Sequence, residues 1–428
     1  MKTKTTKILK WCGGIVITIS IIYSLLVWHS NSVLHQAYHA LQNQNRPMNS
    51  NQVIPQNTVD IKNAALDYQM ALLYIKSSRL EQEAFYSKKF IELSQRVSYE
   101  NVDKSALLEF KKYYDAPVFA AFIKFIDGGK GKTFWPNLDI NKGPNALLTH
   151  VHDHKELLQI VCTIASYQNQ TNDSQNAWGN TIRCLRVANA LNKEPLVISQ
   201  IMRADFFDKT TKLIQSMSKT SLPTMKQSKT LNNLLKEFEE IKPYITALDG
   251  ERLLIGEWLY QITPQNEEVR KLATYGGNDG FGYHLFSIYS YFYDRSPFLN
   301  YDHANYLKAM LKHYTSITNL YGTATKLEKP SSLSIMFTYN SKLLFHINPK
   351  FMYEMIAKAK MTRLGLAILQ FKKSKGIYPD SIKDLNVPFI TDPFTGSDFQ
   401  YHKDSKGFLI SSSNKKVENI QWSFPFNE

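Results

Sequence analysis

Cysteine, catalytic signatures and long apolar runs are all scarce in this chain of 428 residues, and each scarcity excludes something. The three cysteines, Cys12, Cys162 and Cys184, are too few for a disulfide framework and show no metal-ligand spacing. No Gly-x-Ser-x-Gly elbow and no catalytic-cysteine context occurs. No block of Lys and Arg interleaves with aromatics, so nothing points to nucleic acid despite a net charge of +14. Lys2, Lys4, Lys7 and Lys10 place four of those charges at one end, and the rest are scattered among acids. That pattern suits a solvated surface near an anionic membrane. Strand signals are scarce before residue 380. No cofactor motif is present. Gly131-Lys132-Thr133 has the ending of a phosphate loop, but Ile126 stands where its first Gly is required. It reads as a surface turn. Gly276–Gly282 follows no strand and reads as a flexible interhelical loop.

The one long apolar run is Trp11–Trp28, broken by Thr18, Ser20 and Ser24 but by no charge. About 17–20 such residues span a bilayer. Trp11 and Trp28 bracket it as aromatic belts do. A cleaved signal peptide is the rival reading, yet Val27-Trp28-His29 is a poor cleavage site. Cys12 precedes the apolar run, so it is no lipoprotein cysteine. The lysines before the run predict a cytoplasmic N-terminus. The expectation is a single-pass inner-membrane anchor with the bulk of the chain periplasmic or extracytoplasmic.

Four regions are expected. Residues 1–28 form the basic end and the anchor. Residues 29–58, rich in Asn and Gln with Pro47 and Pro55, read as a stalk, with room for a short helix over Val33–Leu41. Residues 59–348 form an α-helical domain, and residues 349–428 a long helix plus a small antiparallel sheet. Ile61, Ala65, Tyr68, Leu72 and Ile75 keep helical spacing after a Thr58 cap. Further helices are expected over Ser105–Phe125, Asn145–Tyr167, Ala177–Leu191, Pro195–Met217, Leu231–Thr246, Gly250–Ile262, Tyr283–Tyr293 and Tyr301–Tyr321. Hydrophobic content of 43% is ample for a core. The fold class is mainly α: a bundle or an α-solenoid without a fixed-period repeat.

The stretch Met361–Ser413 has the most specific order. Leu364–Leu369 is apolar nearly all round, which predicts burial on several sides. Lys372, Lys373 and Lys375 complement the end of that helix, and Gly376 suits the residue just past it. Pro379 prevents continuation. Asp380 and Ser381 can cap a short helix through Leu385. Asp392-Pro393-Phe394-Thr395-Gly396 is a turn. Residues around Tyr401 and Phe408–Ser411 alternate, with a hairpin loop over Asp404–Gly407.

This order resembles the C-terminal part of type II secretion pseudopilins of the G class. The resemblance rests on Tyr378, Pro379, Asp392, Pro393, Gly396, Tyr401, Gly407 and Ser411. It implies a small α+β tail. A pseudopilin carries a Glu on its first helix beside its cleavage site; here Gly14 is followed by Ile15–Ile19. The whole chain also resembles a group of membrane-anchored helical bacterial proteins of unknown function, in the runs Cys184–Leu191 with Glu194-Pro195 and Ala247–Arg252.

Several constellations are candidates for chemistry. His150 and His154 would share one helix face, as zinc ligands can, but Val151 stands where a metalloprotease motif has its Glu. The plainer reading is a polar first helical turn. Glu237, Glu239, Glu240, Glu251 and Glu257 lie on amphipathic helices and read as salt-bridged surface. Tyr283, Phe286, Tyr289, Tyr291, Phe292, Tyr293 and Phe298 read as core filler. Cys162 and Cys184 sit at nearly equal distances from the polar loop at Asn172. A helix hairpin would bring them level, as a disulfide or as two packed thiols. The functional expectation is a non-enzymatic envelope scaffold that binds a protein or wall component. The alternatives are an accessory of a type II secretion or pilus-like system, and a metal-dependent hydrolase using His150 and His154.

Overall fold

The computed structural model describes residues 2–54, 62–98, 103–136, 149–262, 297–318, 349–414 and 420–424. The fold is mainly α-helical, with small antiparallel sheets. Chain contacts divide it into two units. In its described part, unit 1 joins residues 2–52 to 251–262 and 297–318. Unit 2 holds the described residues from 53 to 250 together with the tail from 349. This differs from the expected division at 28, 58 and 348.

The difference starts in helix α1, Lys2–Asn43, which passes unbroken through the first half of the expected stalk. Ser30, Leu34, Ala37 and Leu41 repeat at helical spacing, and Ser30, Ala37 and Leu41 are buried. In the upper part Trp11, Ile15, Ile19, Ile22, Leu25 and Trp28 are exposed. Thr18, Ser20 and Ser24 donate their hydroxyls to the carbonyls of Gly14, Val16 and Ser20 at 2.8–2.9 Å. This helix is long and apolar enough to cross a membrane.

The lower part of α1 packs on a late helix of unit 1, and the residues between these two segments in the chain include α11, Glu257–Ile262, which follows a π-helical turn at Glu251–Gly256. Gly256 is needed there, because a Cβ would lie 2.0 Å from the Tyr306 hydroxyl. The late helix is α12, Pro297–Thr318. Asn300 donates its amide to Asn31 Oδ1 at 2.8 Å, and His29 Nδ1 meets the Tyr301 hydroxyl at 2.7 Å.

Unit 2 opens with α2, Ala64–Ser77, and a two-stranded ribbon of β1, Arg79–Leu80, and β2, Glu83–Ala84. Helices α3 (Lys88–Arg96), α4 (Lys104–Tyr114), α5 (Pro117–Gly128), α6 (Thr149–Gln170) and α7 (Ser174–Asn189) follow. Then come α8 (Val197–Ser218), α9 (Met225–Glu237), α10 (Lys242–Gly250) and, after unit 1 intervenes, α13 (Lys350–Lys375). The expected helix over Ser105–Phe125 is two, because Pro117 starts α5 at the position that needs no N–H. The expected helix over Leu231–Thr246 is also two, since α9 ends at Glu237 and α10 begins at Lys242. Asn63, not Thr58, caps α2; Thr58 lies outside the described residues. So do Pro55, Gly276–Gly282 and the Tyr283–Tyr293 helix.

Helices α6 and α7 form a hairpin about Asn172, whose φ of 64° is the left-handed turn that Asn tolerates. Helix α2 lies on α5, and α8 lies on α7 and α13. One apolar core runs from Tyr68 and Phe122 through Trp178 and Phe206 to Leu364 and Trp422.

The tail is part of that core. Leu364 and Ile368 are fully buried, as an all-round apolar run requires. Gly376 ends α13 at φ 80°, and Ser381 caps a short 3-10 turn over Ile382–Leu385. Strands β3 (Gln400–Lys403), β4 (Phe408–Ser411) and β5 (Gln421–Phe424) form an antiparallel sheet in that order. The loop at Asp404–Gly407 joins β3 to β4. The buried Asp392 carboxylate fastens its turn to the end of β4, accepting bonds from the Ser412 hydroxyl at 2.7 Å and the Ser413 N–H at 2.9 Å.

Candidate functional site

The site grows out of the end of α5. Asp127-Gly128-Gly129 closes that helix against Tyr68 of α2; a Cβ on Gly129 would lie 2.7 Å from the Tyr68 ring. The chain then turns at Gly131, with φ at 76°. Asn63 holds the returning segment to the start of α2. Its side chain accepts from Ala65 N and Trp135 N, at 2.9 and 3.0 Å, and donates to the Trp135 carbonyl at 2.7 Å. Two backbone bonds, Ala64 N to Thr133 O at 2.8 Å and Thr133 N to Lys62 O at 3.0 Å, complete the clamp. The Gly131-Lys132-Thr133 turn is therefore a fixed wall.

That wall, α2, the end of α7 and the 3-10 turn Ala190–Lys193 enclose a cavity of about 310 Å³. Tyr68, Phe134 and Leu234 supply apolar surface, while Lys130, Lys132, Arg186 and Lys193 bring four cations. Among the described residues Glu237 is the one acid in the lining. Lys132 is paired with Asp67 at 2.6 Å. Arg186 has Asp127 at 3.8 Å, but Arg183 takes that carboxylate by two bonds of 2.9 and 2.6 Å. Burial works against the Asp127 charge; the Arg183 bonds outweigh it and hold the carboxyl below its usual range. Partial burial lowers the Arg186 pKa from its usual value. Glu237 accepts from Asn189 Nδ2 at 2.5 Å, and the buried Arg203 holds Asn189 Oδ1 at 2.8 Å and the Glu237 carbonyl at 2.9 Å. The polar floor is thus fixed from behind.

His150 and His154 stand behind Phe134. They do not form a polar first turn: both are buried, His150 beside a tilted Phe134 ring and His154 in T-shaped contact with Phe134 and Tyr68. His150 Nε2 lies 2.7 Å from Oε1 of the fully buried Glu194. His154 Nδ1 donates to the His150 carbonyl at 2.8 Å, which leaves its Nε2 without the proton. Burial pushes the His154 imidazole down to about 4. Among the described residues, no group of three His, Cys, Asp or Glu side chains is placed to hold a metal ion.

The remaining candidates are dispersed. Glu239 pairs with Arg363 of α13, and Glu257 pairs with the fully buried Arg252 in unit 1. Around that pair Tyr38 donates to Glu257 Oε2 at 3.3 Å, and His303 stacks on Tyr260 at 4.2 Å between ring centres. Burial, then Arg252, pushes His303 down to about 4. Phe298 is exposed rather than core; the rest of its expected aromatic cluster lies outside the described residues. Cys162 and Cys184 are brought together in the α6–α7 hairpin, with their sulfurs 3.2 Å apart. Cys12 is exposed on α1.

The sequence reading passed over Lys130, Arg186 and Lys193. They come from three separate segments, and only the count of cations flanking Gly131 could have drawn attention. No protein-family model matches this chain, and neither does any curated protein or solved structure.

Proposed function

We propose that this protein is a single-pass, membrane-anchored envelope protein of a bacterium whose helical body is a non-enzymatic binding module. The observation that carries the anchor is the exposed apolar surface of α1 from Trp11 to Trp28, with the Thr18, Ser20 and Ser24 hydroxyls bonded within the helix. Lipid demands that internal satisfaction. The lysines before it support a cytoplasmic N-terminus and an extracytoplasmic body. The cavity of unit 2 is the receiving site. Its cations and aromatic faces converge on one space, as binding sites do.

A second reading, an accessory of a type II secretion or pilus-like machine, is favoured by the tail. There the long helix α13 leads through Tyr378-Pro379 and the Asp392 turn into a three-stranded antiparallel sheet, the order that resembles a pseudopilin. Alkaline phosphatase fused after residue 60 tests the orientation and is expected to be active. An inactive fusion would overturn the extracytoplasmic placement. Affinity capture of the full chain from native membranes then separates the readings: secretion components in the eluate favour the second, and other envelope partners the first.

A further inference from the structure

We infer that the cavity of unit 2 binds the phosphate group of a small organic phosphomonoester; this rests on the reading of that cavity as the binding site. Among the described residues four cations and one acid line it, and the cations are unevenly used. Lys132 has its own partner in Asp67. Lys130 and Lys193 are exposed and make no ion pair among the described residues. Arg186 is half-buried, yet its guanidinium makes no hydrogen bond among the described residues; its nearest acid, Asp127, is 3.8 Å away and already engaged by Arg183. A guanidinium withdrawn from water with its fork unfilled is suited to two oxygens of one anion. The Thr133 hydroxyl, also in the lining, has no protein partner among the described residues.

These donors arise from three elements, the Gly131 turn, α7 and the Ala190–Lys193 turn. Donors from three sides suit a tetrahedral dianion better than a planar monoanion, because Lys130, Lys193 and the unfilled fork of Arg186 are better answered by two charges than by one. The cavity of about 310 Å³ also exceeds a bare phosphate. The half-buried Ala190 and Leu234 offer apolar surface to an organic body, and Glu237 offers an acceptor for a hydroxyl on it. The same phosphate chemistry is presented by a soluble sugar phosphate and by a phosphatidic acid headgroup, so the test separates the two.

The full chain, purified in neutral detergent, is titrated calorimetrically with inorganic phosphate, glucose 6-phosphate and glucose. Saturable binding of both phosphates is expected, tighter for glucose 6-phosphate, weaker at higher salt, and absent for glucose. Arg186→Gln should weaken binding by about tenfold or more, the loss of one charge-assisted contact. The pair Lys130→Gln with Lys193→Gln, both on exposed side chains, should do the same while leaving the ligand-free thermal midpoint unchanged. In a second arm the protein is mixed with vesicles of phosphatidylcholine, with and without phosphatidic acid. Binding of phosphatidic acid alone, lost in the same variants, would name the lipid as the source. Absence of saturable binding in both arms, or undiminished affinity in the double variant, overturns the proposal. Such a failure leaves the anchored binding module standing, because the fusion and the membrane capture test that separately.

Discussion

Cys162 and Cys184 face each other across the α6–α7 hairpin with their sulfurs 3.2 Å apart. They lie on either side of Asn172, whose left-handed turn sets the register. Burial, then Cys162 itself, pushes the Cys184 thiol well above its usual pKa. The reduced pair is therefore a poor nucleophile; in an exported body, as proposed, a thiol–disulfide oxidoreductase would accept its two electrons. If the body is exported as proposed, we expect the isolated protein to be bridged there. A loop of about 20 residues would then be closed, worth about 3 kcal/mol in the chain-entropy picture. Mass spectrometry after alkylation in denaturant, before and after reduction, reads the outcome. Three labelled cysteines before reduction would show the bridge absent.

His154 makes the stability of unit 2 depend on mild acid. Burial holds it neutral in the fold, down to about 4, whereas an unfolded chain protonates it near 6.5. The unfolded state thus binds the extra proton between those values. The contribution is complete above pH 6.5 and is lost as pH falls towards 4, by about 3 kcal/mol at most. Urea unfolding of His154→Gln against the parent chain should show a flatter pH dependence in that window. Parallel curves would mean that His154 does not titrate as its burial requires.

How much of this was legible follows from where the signals lie. The Gly376 stop, the Ser381 cap and the Asp404–Gly407 loop are local, so neighbouring residues declare them. The level pairing of Cys162 with Cys184 needs only helix geometry and one turn. Strand β5 was not foreseen: Ile420, Trp422 and Phe424 alternate over too short a run to be distinguished from loop. The burial of His150 was hidden because its partner Glu194 sits beyond the next helix. The cavity was hidden for the same reason, since Lys130, Arg186 and Lys193 meet only after α5, α6 and α7 have packed. The association of α1 with α12 bridges most of the chain, and no periodicity encodes that.

His150 Nε2 and Glu194 Oε1 are two buried polar atoms that face each other at 2.7 Å. Removing one leaves the other buried without that neighbour, at a cost of about 1–3 kcal/mol. His150→Gln and Glu194→Gln should each lower the denaturation midpoint strongly, and the double variant by much less than their sum. A full double-mutant cycle from chemical unfolding measures the coupling. Strict additivity would show that the 2.7 Å approach carries no interaction.

Gly365 is where the sheet meets α13. A Cβ there would fall 1.9 Å from the Trp422 ring, and Trp422 is fully buried. Gly365→Ala should cost about 1–3 kcal/mol through forced displacement of β5. Trp422→Leu in the same chain should recover part of the loss by making room. Thermal unfolding followed by near-ultraviolet circular dichroism reports both. An unchanged midpoint for Gly365→Ala would mean that β5 is not seated on α13.

The unbroken course of α1 has a mechanical meaning if its upper part lies in lipid. From Trp28 to Asn43 the helix rises about 22 Å at 1.5 Å per residue, with no proline or glycine on the way. Helix α12 is fastened along that length by Asn300, Tyr301 and His303. There is no swivel between the bilayer and unit 1, so a tilt or a turn of the buried rod moves the outer segment as a crankshaft moves its arm. Two glycines inserted after His29 would disconnect the two motions without touching a single residue of unit 2.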